Sequence, residues 1–485
     1  MRRFLLLYRF NLILLSSSKT PSTLTNTIPS SISTVTMPSP LETLPTEVIE
    51  LIVRLLPLKD IRSLRLACKA LSDKSSESYF KTFFYTQHVV MTADALRELT
   101  VNVQARGFRS CVRRLCLVGV ADKEAERTQT SQLDPHQEEM TSLLTQAYNG
   151  LAKPHSVDGL LSLSLELRIV KNDLPNNVLR DTTHLAKSRT VWQCAIEVFD
   201  HSLRALAASN LKLKHLNIFN GPNMEKCSLP SEQLSMINWS DPGLADSLST
   251  LTSLSVNIST RVFLFKNLRD PSGDGLVGRS LGGIEAAQEE RNFDGLAKVL
   301  AACPRLEELD LRYRRIVTRA LHHDWEVLQR VAGLQTLPVL NRLSISGFTA
   351  NSPDLLNILE RTKPRKLSLG PITLETGTFH SIFDYCSSRG ANMSKASFER
   401  LVQMSHQDGA GVVHFISHCP KVPVVRNRSP NSPFQAPFCS EFAEFEHLGQ
   451  GARISCHLDR SGFIGMPQYG GCPPSRRQDH LNNLF

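Results

Sequence analysis

The sequence predicts a short all-α module followed by a long α/β array in which helix and strand alternate as in a solenoid. Three observations predict it. Between Glu42 and Tyr85 apolar residues recur at helical spacing. From residue 110 to 375 an apolar triplet, spaced by three residues and then two, returns down the chain. Helical segments lie ahead of most of these triplets. The 485 residues, 41% hydrophobic and 21% charged, suffice for about three domains at roughly 150 residues each, or for one domain carrying a repeat array. That composition excludes a wholly disordered chain and a polytopic membrane protein.

Residues 1–41 are expected to form a disordered leader or a targeting segment. Met1-Arg2-Arg3 precedes two apolar runs, Phe4 to Tyr8 and Leu12 to Leu15, split by Arg9 and Asn11. They are too short to span a bilayer, which needs about 20 mostly apolar residues. Residues 16–36 are rich in Ser and Thr and carry no acid, as in a presequence, which leaves mitochondrial or secretory targeting open. Met37 would make a sensible alternative start. Eleven cysteines without a CxxC pair point instead to a reducing compartment, cytoplasmic or nuclear, and offer no structural zinc spacing. The formal charge is +9, and Arg2, Arg3, Arg9 and Lys19 all precede the first acid, Glu42. So diffuse an excess predicts no nucleic-acid partner. No cofactor, metal or stable membrane insertion is expected.

Each helix of the module has a physical reason. Pro45 suits a first turn, apolar residues follow at 48, 49, 52, 55 and 56, and Pro57 ends the run. Asp60 reads as the N-cap of a second helix bearing Ile61, Leu64, Cys68 and Leu71. Tyr79, Phe80, Phe83 and Phe84 mark a third segment. A unit of about 45 residues cannot hide this much apolar surface internally. The surplus must face the rest of the chain or a second protein.

The run Leu44-Pro45-x-Glu47-Val48, then Ile52, Leu56, Asp60-Ile61, Leu64-Arg65 and Ala67-Cys68-Lys69, resembles the F-box motif, through which substrate receptors join SCF-type ubiquitin ligases. The resemblance covers residues 42–85. It implies that Leu44, Pro45, Val48, Ile52, Leu56, Ile61 and Leu64 lie in or support the face that meets a Skp-type adaptor and, through it, a cullin. Ile61 stands where Leu is commoner and Ala67 where Val is commoner; both keep apolar character.

The array begins with Val112/Leu115/Leu117 and repeats as Leu160/Leu163/Leu165, Leu213/Leu216/Ile218, Leu251/Leu254/Val256, Leu306/Leu309/Leu311 and Leu340/Leu343/Ile345, with Pro364 opening a last copy at Leu367/Leu369. The last two members alternate as a strand does, both pointing inward. Helices are expected over 139–152, 192–209, 285–303, 321–334 and 353–361. Such pairs bury their apolar sides only by stacking on neighbours. The pattern resembles the irregular leucine-rich repeats that follow F-boxes in many fungal proteins. That implies an α/β leucine-rich-repeat-like solenoid over 110–375, binding proteins on a long concave surface. An ordinary α/β domain with Leu-rich parallel strands remains the alternative. Candidate outward positions are Glu308, Asp310, Arg312, Tyr313 and Arg314 in one copy, and Arg342, Ser344 and Ser346 in another.

Motifs that could carry chemistry are sparse. Gly278-Arg279-Ser280-Leu281-Gly282 satisfies the G-x-S-x-G pattern of a hydrolase nucleophile elbow, but residues 270–275 ahead of it read as loop rather than strand. His322, His323, His380, His406 and His414 are the histidines available as a base. His414 and His418 stand at helical i, i+4 spacing without an obvious third metal ligand. Gly275 to Gly283 lacks the order of a phosphate loop. From residue 420 to 485 the periodicity fades, and a poorly ordered tail is expected. The sequence therefore predicts a non-catalytic receptor, with a scaffold that meets no adaptor and a hydrolase using Ser280 as alternatives. It names no target protein.

Overall fold

The computed structural model describes residues 39–75, 79–104, 111–122, 135–152, 160–170, 185–209, 211–221, 227–259, 289–314, 324–405, 409–416, 439–440, 442–446 and 456–459. The chain divides into two compact units, the second beginning at Gln87. Among the described residues no helix is long and apolar enough to cross a membrane. The leader falls almost wholly outside these residues.

Residues 40–82 of the first unit form five helices. Helices α1 (Pro40–Thr43), α2 (Thr46–Leu55), α3 (Leu58–Ala67), α4 (Lys69–Lys74) and α5 (Tyr79–Thr82) follow in order. The Ser39 side chain accepts from Glu42 N to cap α1, and Pro57 rather than Asp60 occupies the N-cap of α3. Leu58 and Lys59 are good helix formers, so the helix starts as soon as Pro57 has fixed the turn, leaving Asp60 in the first turn where the dipole favours an acid. Cys68 splits the expected second helix. Its backbone is extended, and its Sγ accepts from Leu71 N at 3.4 Å, capping α4. Ile49, Val53, Ile61 and Leu71 form the core of this unit.

The second unit is built on a sheet whose strands lie side by side in chain order. They are β1 (Thr86–Val90), β2 (Arg114–Asp122), β3 (Ser162–Val170), β4 (His215–Ile218), β6 (Ser253–Ser259), β7 (Glu308–Arg314), β8 (Arg342–Ser346), β10 (Lys366–Leu369) and β12 (Lys395–Glu399). From β3 to β12 every pairing is parallel. Short β5 (Leu229–Pro230) adds to β6, and β16 (Phe442–Glu446) closes the far edge antiparallel to β12. Crossover helices connect the strands: α6 (Ala93–Gln104), α7 (Pro135–Ala152), α8 (Leu185–Ala207), α9 (Ser231–Met236), α10 (Pro242–Leu248), α11 (Asp294–Ala301), α12 (Glu326–Ala332), α13 (Ser352–Thr362) and α14 (His380–Ser387).

Register turns the triplets into continuous rungs. Leu163, Leu216, Leu254, Leu309, Leu343 and Leu367 stand in one row, and Leu165, Ile218, Val256, Leu311, Ile345 and Leu369 in the next. All are buried. The opening members Val112, Leu160, Leu213, Leu251, Leu306 and Leu340 are buried as well, just ahead of their strands. Both rows continue through Ala396 and Phe398 of β12, with Met393 buried in the opening place. The ladder therefore runs past residue 375 by one copy that keeps the spacing but carries Met, Ala and Phe in place of leucines.

A second, smaller sheet has no counterpart in the sequence reading. β9 (Thr349–Asn351), β11 (Ile372–Thr376) and β13 (Leu401–Ser405) pair in parallel, each directly after a strand of the main sheet, and β14 (Gly409–Ile416) adds antiparallel with β15 (Cys439–Ser440) and β17 (Cys456–Asp459). Gly347, between β8 and β9, has φ +82°, and an added Cβ would lie 1.9 Å from the Tyr313 carbonyl oxygen. Only glycine fits that turn. Within 420–485 the described residues are β15, β16 and β17; Phe445 of β16 packs against the main core, its ring tilted 59° to that of Phe398 with centroids 6.0 Å apart.

Candidate docking surface

Helix α2 carries two apolar stripes. Ile49 and Val53 point into the core, flanked by Ile52 and Leu56, which are partly buried against it. Val48, Leu51 and Leu55, at i, i+3 and i+7, form a second stripe on the outside. Leu51 is 59% exposed and Leu55 86%, and Leu66 of α3 is 69% exposed. Burying one such leucine in an interface would contribute about 1.5–3 kcal/mol.

The frame holding these stripes is polar as well as apolar. Lys74 at the end of α4 donates to the main-chain oxygens of Glu42, in α1, and Leu44, its C-cap. Tyr79 N donates to Glu50 Oε1 of α2 at 3.4 Å. The Arg65 guanidinium lies 3.7 Å from the Phe80 ring centroid, and burial lowers its pKa from the ordinary arginine value.

The seven residues that the motif points to are distributed over this frame rather than gathered on one face. Pro45 and Val48 are exposed, while Leu44, Ile52, Leu56 and Leu64 are half-buried against the core. Ile61 is fully buried, so it can act only by supporting the helices. Leu51, Leu55 and Leu66 were missed. Extending the helical spacing from Val48 by three and seven residues finds the first two.

In the second unit, the sheet positions that alternate with the buried rungs form rows of their own. Ser164, Asn217, Ser255, Asp310, Ser344, Ser368 and Ser397 stand in register across seven strands and are half-buried. Beside them His215, Glu308, Arg342 and Lys366 are exposed. Of the outward candidates named from sequence, Glu308, Asp310, Arg312, Arg314, Arg342, Ser344 and Ser346 alternate with the buried rungs. Tyr313 does not. It is 6% exposed, follows Leu309 and Leu311 by strand parity, and donates its hydroxyl to Asp324 Oδ1 at 3.1 Å.

Ser280 and its glycines lie outside the described residues, as do His322, His323, His406 and His418. His414 lies on strand β14, where helical i, i+4 geometry does not apply. One metal-capable group does come together among the described residues: His88, Cys116 and Glu166, from β1, β2 and β3. Burial, then the Glu166 charge and a hydrogen bond to it, push the Cys116 thiol well above its ordinary range.

No curated protein matches the chain. Residues 41–83 match the family model of the F-box domain, and the chain thus carries, in its N-terminal helices, a module of the kind that binds Skp-type adaptors.

Proposed function

We propose that this chain is a substrate-recognition subunit of an SCF-type ubiquitin ligase, docking through its F-box domain on a Skp-type adaptor linked to a cullin and holding a target protein on its second unit. The observation that carries this reading is the outer stripe of α2, Val48, Leu51 and Leu55, left uncovered on a domain of adaptor-binding type. Leu44, Pro45, Ile52, Leu56, Ile61 and Leu64 are assigned to the same interface, the exposed members by contact and the buried ones by holding the helices at their angles.

The second unit is read as an irregular leucine-rich-repeat-like solenoid. Support comes from parallel strands stacked in chain order, one triplet per strand and a helix in most connections. The spacing between equivalent residues, 24 from Leu343 to Leu367 and 55 from Leu254 to Leu309, sets it apart from regular arrays of about 20–29 residues. The polar row from Ser164 to Ser397 would receive the target. The chain would supply no nucleophile: holding the target beside a ubiquitin-loaded enzyme makes transfer effectively intramolecular.

Co-purification of full-length chain with a Skp-type adaptor tests the docking. Leu51→Asp with Leu55→Asp, and separately Leu44→Ala with Pro45→Ala, should abolish capture while far-UV circular dichroism stays unchanged. Capture of both double variants at wild-type level would overturn the assignment, leaving a scaffold that meets no adaptor.

A further inference from the structure

We propose that His88, Cys116 and Glu166 form a binding site for a divalent transition-metal ion, Zn²⁺ by its chemistry, clipping the edge strand β1 to β2 and β3. The three strands are consecutive in the main sheet, with β1 at its end. Leu115, Leu117, Leu165 and Leu167 are buried on one side of β2 and β3, so strand alternation sends Cys116 and Glu166 to the other side, away from the leucine core. On β1, His88 lies between buried Gln87 and Val89 and is itself exposed. One ring nitrogen of His88, the Cys116 Sγ and one Glu166 carboxylate oxygen lie within 4.8 Å of one another.

The donor set and its dimensions both suit zinc. Tetrahedral Zn²⁺ takes nitrogen and oxygen at about 2.0–2.2 Å and sulfur at about 2.3 Å. Its donor atoms then stand roughly 3.3–3.8 Å apart. With every pair already within 4.8 Å, closing asks for at most about 1–1.5 Å per pair, within the reach of a histidine and a glutamate rotamer. Imidazole, thiolate and carboxylate together are borderline donors, favouring Zn²⁺ over Mg²⁺ or Ca²⁺. Without metal, the Cys116 thiol lies beside the Glu166 carboxylate. On binding, the S–H bond breaks, a Zn–S bond forms and the proton leaves to solvent. Exposed His88 leaves the fourth position to water or a partner's donor. The ligands are separated by 28 and 50 residues, beyond the reach of the short spacings by which zinc motifs are recognised. This inference stands apart from the adaptor-binding role.

The test uses the full chain, stripped by chelator and titrated with Zn²⁺ and with Co²⁺ as a spectroscopic stand-in. One equivalent of Co²⁺ should give a thiolate-to-cobalt charge-transfer band, and one Zn²⁺ should displace it. Cys116→Ser should remove the band. His88→Ala, at an exposed position that leaves the core intact, should weaken Zn²⁺ binding by more than the roughly 10–100-fold that loss of a mere supporting partner costs. Cys303→Ala, on a buried thiol elsewhere, should change neither. The proposal is overturned if no band appears, or if His88→Ala and Cys116→Ser bind as the wild type does, which would mark adventitious metal only.

Discussion

Lys74 Nζ donates to the main-chain oxygen of Leu44 at 2.6 Å, across 30 residues of chain, and to that of Glu42 at 2.7 Å. Helix α1 is a single turn, so these carbonyls have no partners within it, and the ammonium at its C-terminus satisfies both. The contact fixes the Leu44-Pro45 turn from which α2 departs. Lys74→Met keeps the stem but removes the donors, and should destabilise the first unit by about 1.5–3 kcal/mol. Hydrogen–deuterium exchange should quicken in peptides covering residues 40–56 and stay unchanged in the main sheet over 395–399. Equal protection of both regions in variant and wild type would show that the two bonds contribute nothing.

Where apolar side chains repeat locally, the fold was legible. The alternation of Leu309, Leu311 and Tyr313 reads straight from sequence as one buried side of a strand, and following parity one step further would have kept Tyr313 off the outward candidates. Met393, Ala396 and Phe398 occupy the same three places at the same three-then-two spacing but share no residue type with the leucine copies, so a search led by leucine passes over them. The second sheet hides for another reason. Its parallel strands β9, β11 and β13 follow main-sheet strands after one or two residues, and pairs such as Ile372 with Leu401 join segments 29 apart, which no local period encodes. Cys68 splits a run whose apolar spacing looks unbroken, because the break lies in the backbone conformation. On the docking surface, spacing identified which residues are apolar but not which of α2's two stripes the core takes.

Gly347 and Gly333 make opposite predictions from the same substitution. Gly347 combines φ +82° with a carbonyl oxygen 1.9 Å from where a Cβ would sit, and its N–H donates to Pro371 O. Alanine there must distort the turn between β8 and β9 and should cost about 3 kcal/mol or more, adding backbone strain to overpacking. Gly333 ends α12 at φ −75°, with nothing nearer than 3.5 Å to an added Cβ. Alanine there restricts the unfolded chain without strain and should stabilise by about 0.4–1 kcal/mol. Urea unfolding of the two variants beside the wild type should move the main transition in opposite directions. Movement in the same direction would show that the turn, not the residue, tolerates the change.

His201 ties α8 to α7, its Nδ1 2.8 Å from Thr141 Oγ1, and only 8% of it is exposed. With the ring neutral, the imidazole tautomer sets whether the threonine hydroxyl donates to Nδ1 or Nδ1–H donates to the hydroxyl oxygen. Desolvation lowers the pKa from the ordinary 6.5; Asp200 and Glu197 pull it back up, and Arg204 adds to the lowering. A base whose folded pKa lies below its unfolded one binds its proton more readily when unfolded. Its contribution to stability is therefore complete above about pH 6.5 and falls away as the pH drops through that value toward the folded pKa. The slope can reach about 1.4 kcal/mol per pH unit for one proton. His201→Gln removes the titration while keeping a polar side chain, so the difference in stability between wild type and variant should be flat from pH 8 to about 6.5 and shrink or reverse below it. Unfolding midpoints measured in urea across that range decide the matter, and a difference independent of pH would mean that His201 is as free to protonate in the folded chain as in the unfolded one.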